Sequence, residues 1–477
     1  MRSVSIGTES ASREVLGRGS IYTLASAAPM LAGVLLLPVT TRLLSQKSYG
    51  LVAVSLIVIQ FGSILMGLGL TLSITRHAIL EKSGMTGARG LVISSLGTAS
   101  VICALGLLSG QWWSGILLDQ PWVPVLRLAV LAAAASAVVA NVQALFRAEN
   151  RAWLFVALAT AGTFFGPLAG ILIMLTTGRS AQAYIAGLTF AYVCGALFGV
   201  IFVVRSGDVS IRRKEFRGAL RIGLPTIPHQ LALALATGAM ILVATHRYGL
   251  GASARLQVAL FVGVVPTVIT SALNNAWAPL IMRAPEHERA QTINRTALDI
   301  GWIAAAGSSV VALLAPWILQ LVTPPSYIQS ELVPVVAAVS IVAILSVTYL
   351  ASAHLIFVSG RTSGLVICTP ISLACGVATA TILVGPLGLL GASAGFVTTY
   401  LFLAITTWIL SRMVSLVHWS PSVMLRPFAL ALSGALLGGF LTANGAGAAW
   451  RVGLSFTVAL FGIRTLLRAL RPAEFEA

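Results

Sequence analysis

Residues 183–204 read AYIAGLTFAYVCGALFGVIFVV, twenty-two positions without one charged side chain. A run of about 20 apolar residues spans the hydrocarbon core of a bilayer as a helix. The apolar character is continuous, without the strict alternation of a barrel strand, so the run reads as a transmembrane helix. Arg205 closes it, and similar runs recur on both sides. Breaks at polar or Gly/Pro clusters give segments near 20–42, 50–75, 90–108, 123–146, 152–177, 183–204, 222–246, 256–282, 297–322, 333–358, 364–384, 388–411, 427–443 and 450–467. The expectation is an all-α polytopic membrane protein with about 14 transmembrane helices.

The composition agrees. Of the 477 residues, 57% are apolar and 9% charged, against roughly 25% charged in a soluble domain. The longest polar intervals, Arg205–Arg221 and Arg283–Arg295, are too short to bury a core of their own. The net charge of +17 does not point to nucleic acid, because the basic residues lie between apolar segments and no aromatic residues interleave with them. Cys103, Cys194, Cys368 and Cys375 all fall inside apolar segments and read as small core hydrophobes. The first apolar run lacks a small-residue cleavage pattern before Pro38 and reads as an uncleaved helix.

With an even number of helices and the N-terminus inside, 23 of the Lys and Arg residues fall on the inner side and 7 on the outer. The excess of basic residues in cytoplasmic loops therefore places both termini in the cytoplasm, with the protein in the cell (inner, cytoplasmic) membrane. The positive charge faces anionic membrane lipids.

The chain also matches itself when halved. Tyr49-Gly50 recurs as Tyr248-Gly249, Arg76 as Arg283, and Ala186-Gly187 with Tyr192 as Ala394-Gly395 with Tyr400. Near-constant offsets suggest two six-helix lobes inserted in the same sense around a central cavity, plus two C-terminal helices as an appendix. The expected organisation is a cytoplasmic segment 1–19, an N-lobe 20–205, a basic cytoplasmic loop 206–221, a C-lobe 222–412, and helices 13–14 with a tail over 413–477.

Catalytic signatures are missing: there is no G-x-x-x-x-G-K-[ST] loop, no H-E-x-x-H, no G-x-S-x-G and no paired carboxylates in one segment. No cofactor, metal or enzymatic activity is expected. Asn294-Arg295-Thr296 is a glycosylation sequon by pattern, on the inner side, and is given no role. Polar groups inside apolar helices cost free energy unless partnered or facing water. Asn141 and Gln143, His229 and Gln230, and Asn274 and Asn275 lie roughly 5 to 12 Å from the inner helix ends. His354 and Asp299 sit close to the same surface. Singly, each equally suits a hydrogen bond that locks helix packing; as a belt over both halves they suit a cavity lining. Arg42, Arg76 and Arg283 end helices 1, 2 and 8. Their guanidinium forks match phosphate oxygens, and the alternative for each is a snorkelling anchor. Pro29, Pro38, Pro225, Pro228, Pro266 and Pro279 cluster in helices 1, 7 and 8, where interrupted helices can bend between inward-open and outward-open states.

At these residues the chain resembles a known family. Leu37-Pro38-Val39-Thr40-Thr41-Arg42-Leu43-Leu44-Ser45 with Tyr49-Gly50-Leu51 is similar to the first-helix exit of polysaccharide transporters of the O-antigen flippase type. Leu224-Pro225-Thr226-Ile227-Pro228-His229-Gln230 resembles their helix 7 opening. Ser359-Gly360-Arg361-Thr362, Gly385-Pro386-Leu387-Gly388 and Gly391-Ala392 resemble their helix 10 to 12 region. The resemblance implies the multidrug/oligosaccharidyl-lipid/polysaccharide superfamily and a central cationic cavity. It implies a flippase that moves an undecaprenyl-diphosphate-linked oligosaccharide to the outer leaflet for O-antigen or exopolysaccharide synthesis, working beside a polysaccharide polymerase and glycosyltransferases. This chain departs from a richly basic cavity in having few mid-membrane arginines. Two rivals stand beside it. A cation-coupled multidrug antiporter needs a buried carboxylate, and helices 1, 2, 7 and 8 contain none. A membrane polymerase or ligase needs a sizeable external loop, and the outer segments are short.

Overall fold

The computed structural model describes residues 35–470, and every regular element among them is helical. Twelve helices among the described residues are long and apolar enough to cross a membrane, and counting the bent pair Leu250–Gly263 and Val265–Asn274 as one span gives thirteen. Of the expected first segment, only its end is described, as a helix over residues 35–43 (α1). The remaining thirteen expected segments each meet a helix, in order. The protein is a polytopic all-α membrane protein. Large apolar side chains on the spans, such as Leu108, Phe190, Ile382 and Phe461, are exposed, as a hydrocarbon solvent permits.

The chain divides into two compact units, one of residues 1–44 and 54–231, the other of 45–53 and 232–477. In the first, α6 (Pro124–Ala148) is the core helix, buried on most faces through its alanines and valines. It packs on α3 (Leu70–Leu80), α4 (Gly84–Leu108) and α9 (Ala181–Arg205). Small residues let these backbones approach, which is what drives helix association where solvent is as apolar as leucine. Helix 2 of the sequence is broken: α2 (Gln46–Gly67) ends at Leu68 and Gly69, both in the left-handed region (φ 52° and 65°), before α3 begins. After the short α5 (Gly110–Leu118), helix 5 comprises α7 (Ala152–Thr160), a π-helical turn Ala161–Phe165 and α8 (Gly166–Thr177). Pro167 stands just after the π turn; a ring without an N–H cannot continue the regular ladder.

The interval 206–221, expected as a loop, contains a helix. Phe216, Ala219, Leu220 and Gly223 fall at i, i+3, i+4 and i+7, which gives one apolar face, while Arg213, Lys214, Arg217 and Arg221 are exposed. The resulting α10 (Arg213–Gly223) lays that face on α3, where the Ser73 hydroxyl donates to the Ala219 carbonyl at 2.8 Å. A single turn, Leu224–Thr226, then leads into α11 (Ile227–Tyr248).

In the second unit the counterpart of the broken helix 2 is α12 (Leu250–Gly263) followed by α13 (Val265–Arg283), bent by 45° between them, with Pro266 at the restart. The hub is α14 (Glu286–Val322), 37 residues and about 55 Å long at 1.5 Å per residue. That exceeds the ~30 Å hydrocarbon core, so its polar first turns extend beyond it. Around α14 pack α15 (Gln329–Ser340), α16 (Val342–Ser359), α19 (Leu425–Phe440) and α20 (Gly445–Leu470). Helices 13 and 14, α19 and α20, thus pack on α14 and fall within this unit. Gly434 and Gly438 bring the α19 backbone against Ser309 and the Ala312 carbonyl, and Ala431 and Ala435 join the core cluster with Ala304, Ala305 and Ala312. That Ala312 carbonyl is the one Pro316 leaves without its helical donor. The remaining pair, α17 (Leu365–Leu387) and α18 (Leu389–Val414), forms a tight antiparallel hairpin.

Candidate functional site

The expected site residues fall in two groups, one per unit. In the first unit, α3 and α10 converge on a cleft of about 410 Å³ lined by Ser73, Arg76, His77, Arg212, Lys214 and Glu215 among others. Arg76 is half-exposed and pairs with Glu81 at 3.4 Å. His77 is buried; its Nε2 lies 2.8 Å from the Ser83 hydroxyl and 3.8 Å from a Glu215 carboxylate oxygen. Glu215 is also 3.6 Å from Arg212. A second ion-pair group closes the same ends of α4 and α6: Glu149 receives Arg89 at 2.7 Å and Arg151 at 2.8 Å. His77, Glu81 and Glu215 were not singled out by sequence reading. The available signal was the amphipathic spacing of residues 213–223, hidden by the density of basic residues around it.

The other expected residues of this unit are more dispersed. Arg42 is exposed and donates to the Pro38 carbonyl of its own helix at 3.0 Å. Gln143 donates to the Phe155 carbonyl at 3.4 Å, and Gln230 to the Thr226 hydroxyl at 2.9 Å; His229 is half-buried beside it on α11. Asn141, one side chain among the alanines of α6, is 1% exposed, and neither amide atom has a hydrogen-bond partner. A buried amide without a partner costs about 1–3 kcal/mol.

In the second unit a polar cluster lies where α13, α14 and α16 meet. His354 is buried, its ring edge-on to Trp277 with centroids 4.9 Å apart, and its Nε2 has no partner. Trp277 donates to the Thr296 hydroxyl at 2.7 Å, and one turn before it Asn274 leaves its Oδ1 unpaired. Trp419 donates to the Ser352 hydroxyl at 3.1 Å on the α16 side. Trp277 is the member sequence reading passed over; its place three residues after Asn274 puts both on one helix face. Asn275 and Arg283 belong to α13 by sequence, but their side chains lie outside the described residues. Asn294, the sequon asparagine, accepts the Ser420 backbone N–H at 2.9 Å and so holds the entry to α19. Among the described residues no group of three His, Cys, Asp or Glu side chains is arranged to hold a metal ion.

The comparisons with known proteins accord with this architecture. An inward-facing structure of a multidrug resistance MATE family transporter of the MOP superfamily superposes with a TM-score of 0.64 at 18% identity, over 86% of this chain and 95% of that one. An outward-facing structure of such a transporter gives 0.61 at 18%, over 87% and 96%. A MOP superfamily transporter from Pyrococcus furiosus, for which reverse polarity of the binding pocket suggests a different function, gives 0.61 at 17%, over 87% and 96%. At such identity these likenesses are of fold. No curated protein matches the chain. The family model described as "Polysaccharide biosynthesis protein" matches residues 16–285, more than half of the length, so a chain with the fold of the MOP transporters belongs to the polysaccharide biosynthesis protein family.

Proposed function

We propose that the protein is a flippase that carries an undecaprenyl-diphosphate-linked oligosaccharide from the inner to the outer leaflet of the cytoplasmic membrane by alternating access. The observation that carries this reading is the combination of a polysaccharide biosynthesis family match with an all-helical membrane body. A sugar diphosphate cannot enter hydrocarbon unaided, since each unpaired charge there is heavily penalised. A polar path through the protein removes that cost while the prenyl tail stays among lipids. Arg42, Arg76 and Arg283 are the proposed phosphate contacts, through bidentate charge-assisted hydrogen bonds. Arg76 belongs to a cleft that also presents Arg212 and Lys214, which suits capture of an anionic headgroup. His229, Gln230, Asn274, Asn275, Asn141, Gln143 and His354 are the proposed lining. The unpaired amide of Asn141 and the unpaired Nε2 of His354 suit groups that gain partners in another conformation.

The proposal places both termini in the cytoplasm and the protein beside a polymerase and glycosyltransferases that make and consume its cargo. Deletion of the gene should cause lipid-linked oligosaccharide to accumulate in the inner leaflet, measured by accessibility to an impermeant glycan-binding probe; normal outer-leaflet delivery rejects the role. Arg76→Ala should lower delivery at unchanged protein abundance. A multidrug antiporter is the second reading, favoured by the MATE-like fold. It requires altered drug susceptibility on deletion with glycan delivery intact.

A further inference from the structure

A cleft of about 640 Å³ in the second unit lies between α11 and α17 and is open along one side. Its walls are apolar, with Ala239 and Val243 on α11 facing Val377 and Val384 on α17. A wall of this kind inside membrane-spanning helices offers its surface to a lipid chain, since an apolar groove gains little from water. From Ala239 to His246 the groove follows α11 for about 10 Å, most of the half-thickness of a ~30 Å hydrocarbon core. It is therefore scaled to the chain of one leaflet.

One end differs from the rest. There His246 and Arg247, both exposed, stand over the apolar walls. The Tyr248 hydroxyl, next in sequence, donates to the Val384 carbonyl at 2.8 Å and pins the end of α11 to α17. No hydrogen bond or ion pair among the described residues engages the Arg247 guanidinium, so its donors are available to a phosphate. His246 Nδ1 lies 2.8 Å from the Leu242 carbonyl and must donate to it, which leaves Nε2 of the neutral ring as an acceptor. A cationic fork beside an acceptor complements a headgroup that carries both a phosphate and a hydroxyl.

We propose that this groove is a specific site for an anionic phospholipid with a hydroxylated headgroup, of the phosphatidylglycerol type. The phosphate lies on Arg247, a headgroup hydroxyl donates to His246 Nε2, and one acyl chain lies between α11 and α17. A choline headgroup offers no hydroxyl and places a cation near Arg247. A sugar-bearing diphosphate finds only Thr381 and His246 as neutral polar side chains and a single guanidinium for its two phosphates. The site is independent of the transported cargo and is read by binding alone.

The test is native mass spectrometry of the purified full chain titrated with phosphatidylglycerol or phosphatidylcholine. Phosphatidylglycerol should be retained about tenfold better, as expected for one charge-assisted hydrogen-bonded contact. Arg247→Gln, at an exposed position that leaves the fold intact, should bring the ratio close to one. Val377→Trp should fill the groove and lower retention of both lipids. Equal retention by the unaltered protein, or a preference that survives Arg247→Gln, overturns the proposal. Preferential retention of a polyprenyl phosphate over phosphatidylglycerol also overturns it, by reassigning the groove to the carrier lipid.

Discussion

In the expected topology Arg451 falls on the outer side, where the sequence does not distinguish it from a surface anchor. It is 1% exposed. Its guanidinium donates to the Leu313 carbonyl of α14 at 2.9 Å and to the Gly438 and Leu441 carbonyls, at 2.8 Å and 3.2 Å, where α19 ends. The last carbonyls of a helix have no intrahelical donor, and they carry partial negative charge, so a buried cation here is matched by backbone dipoles and needs no carboxylate. Arg451→Met keeps the stem and removes the donors. Each stranded carbonyl costs about 1–3 kcal/mol, so the variant should lose several degrees in melting temperature in a detergent thermal-shift assay, with Arg451→Lys between the two. Composition and spacing could place Asn141 and His354 in apolar surroundings, and both are buried. They could not separate Arg451 from the arginines that stay at the surface, because a side chain's hydrogen-bond partners depend on tertiary contacts between helices far apart in sequence.

At the scale of elements, two hairpins share one device. In α8 and α9, a Cβ on Gly170 would stand 2.6 Å from the Tyr184 carbonyl, and one on Gly187 would overlap the Gly170 backbone. In α17 and α18, a Cβ on Gly376 would stand 2.6 Å from the Gly395 carbonyl and one on Gly395 2.5 Å from the Gly376 carbonyl. The positions correspond under the offset of about two hundred residues that relates Arg76 to Arg283, so the repeat read from short motifs reappears as equivalent helix crossings in the two units. Gly187→Val and Gly376→Val should each force the crossing apart and lower the yield of monodisperse protein in fluorescence-detected size-exclusion chromatography. Gly97→Ala, where an added Cβ meets nothing within 4 Å, should be tolerated. Existence and order of the spanning helices were legible because about twenty apolar residues in succession have few other fates. The breaks were less so. Pro225 and Pro266 marked two interruptions, whereas the one at Leu68–Gly69 carries no proline, and α10 was concealed because its basic residues outweigh its apolar stripe in any average.

For the molecule as a whole, the proposed function makes orientation decide which leaflet the cargo leaves. The sequence leads us to expect fourteen crossings, an even number, which under the proposed topology puts both termini on one side. The basic residues then choose the side: segments that carry Lys and Arg are retained in the cytoplasm during insertion, and an anionic leaflet adds about 1 kcal/mol per basic residue near its surface. The most basic connection is the one that forms α10, with Arg212, Arg213, Lys214, Arg217 and Arg221 in ten positions, and no outer segment approaches that density. The cleft of Arg76, His77 and Glu215 packs against this same helix, so fixing the side of α10 also fixes the side from which that cleft is reached. Reporter fusions after Asp208 and after Arg471 should be active only as cytoplasmic reporters, and fusions after Arg179 and Asn444 only as external ones. Fusions after Asp208 that report the outside would turn the cleft toward the outer leaflet, making it a release site for the diphosphate rather than its point of capture, and would reverse the direction of the proposed transport.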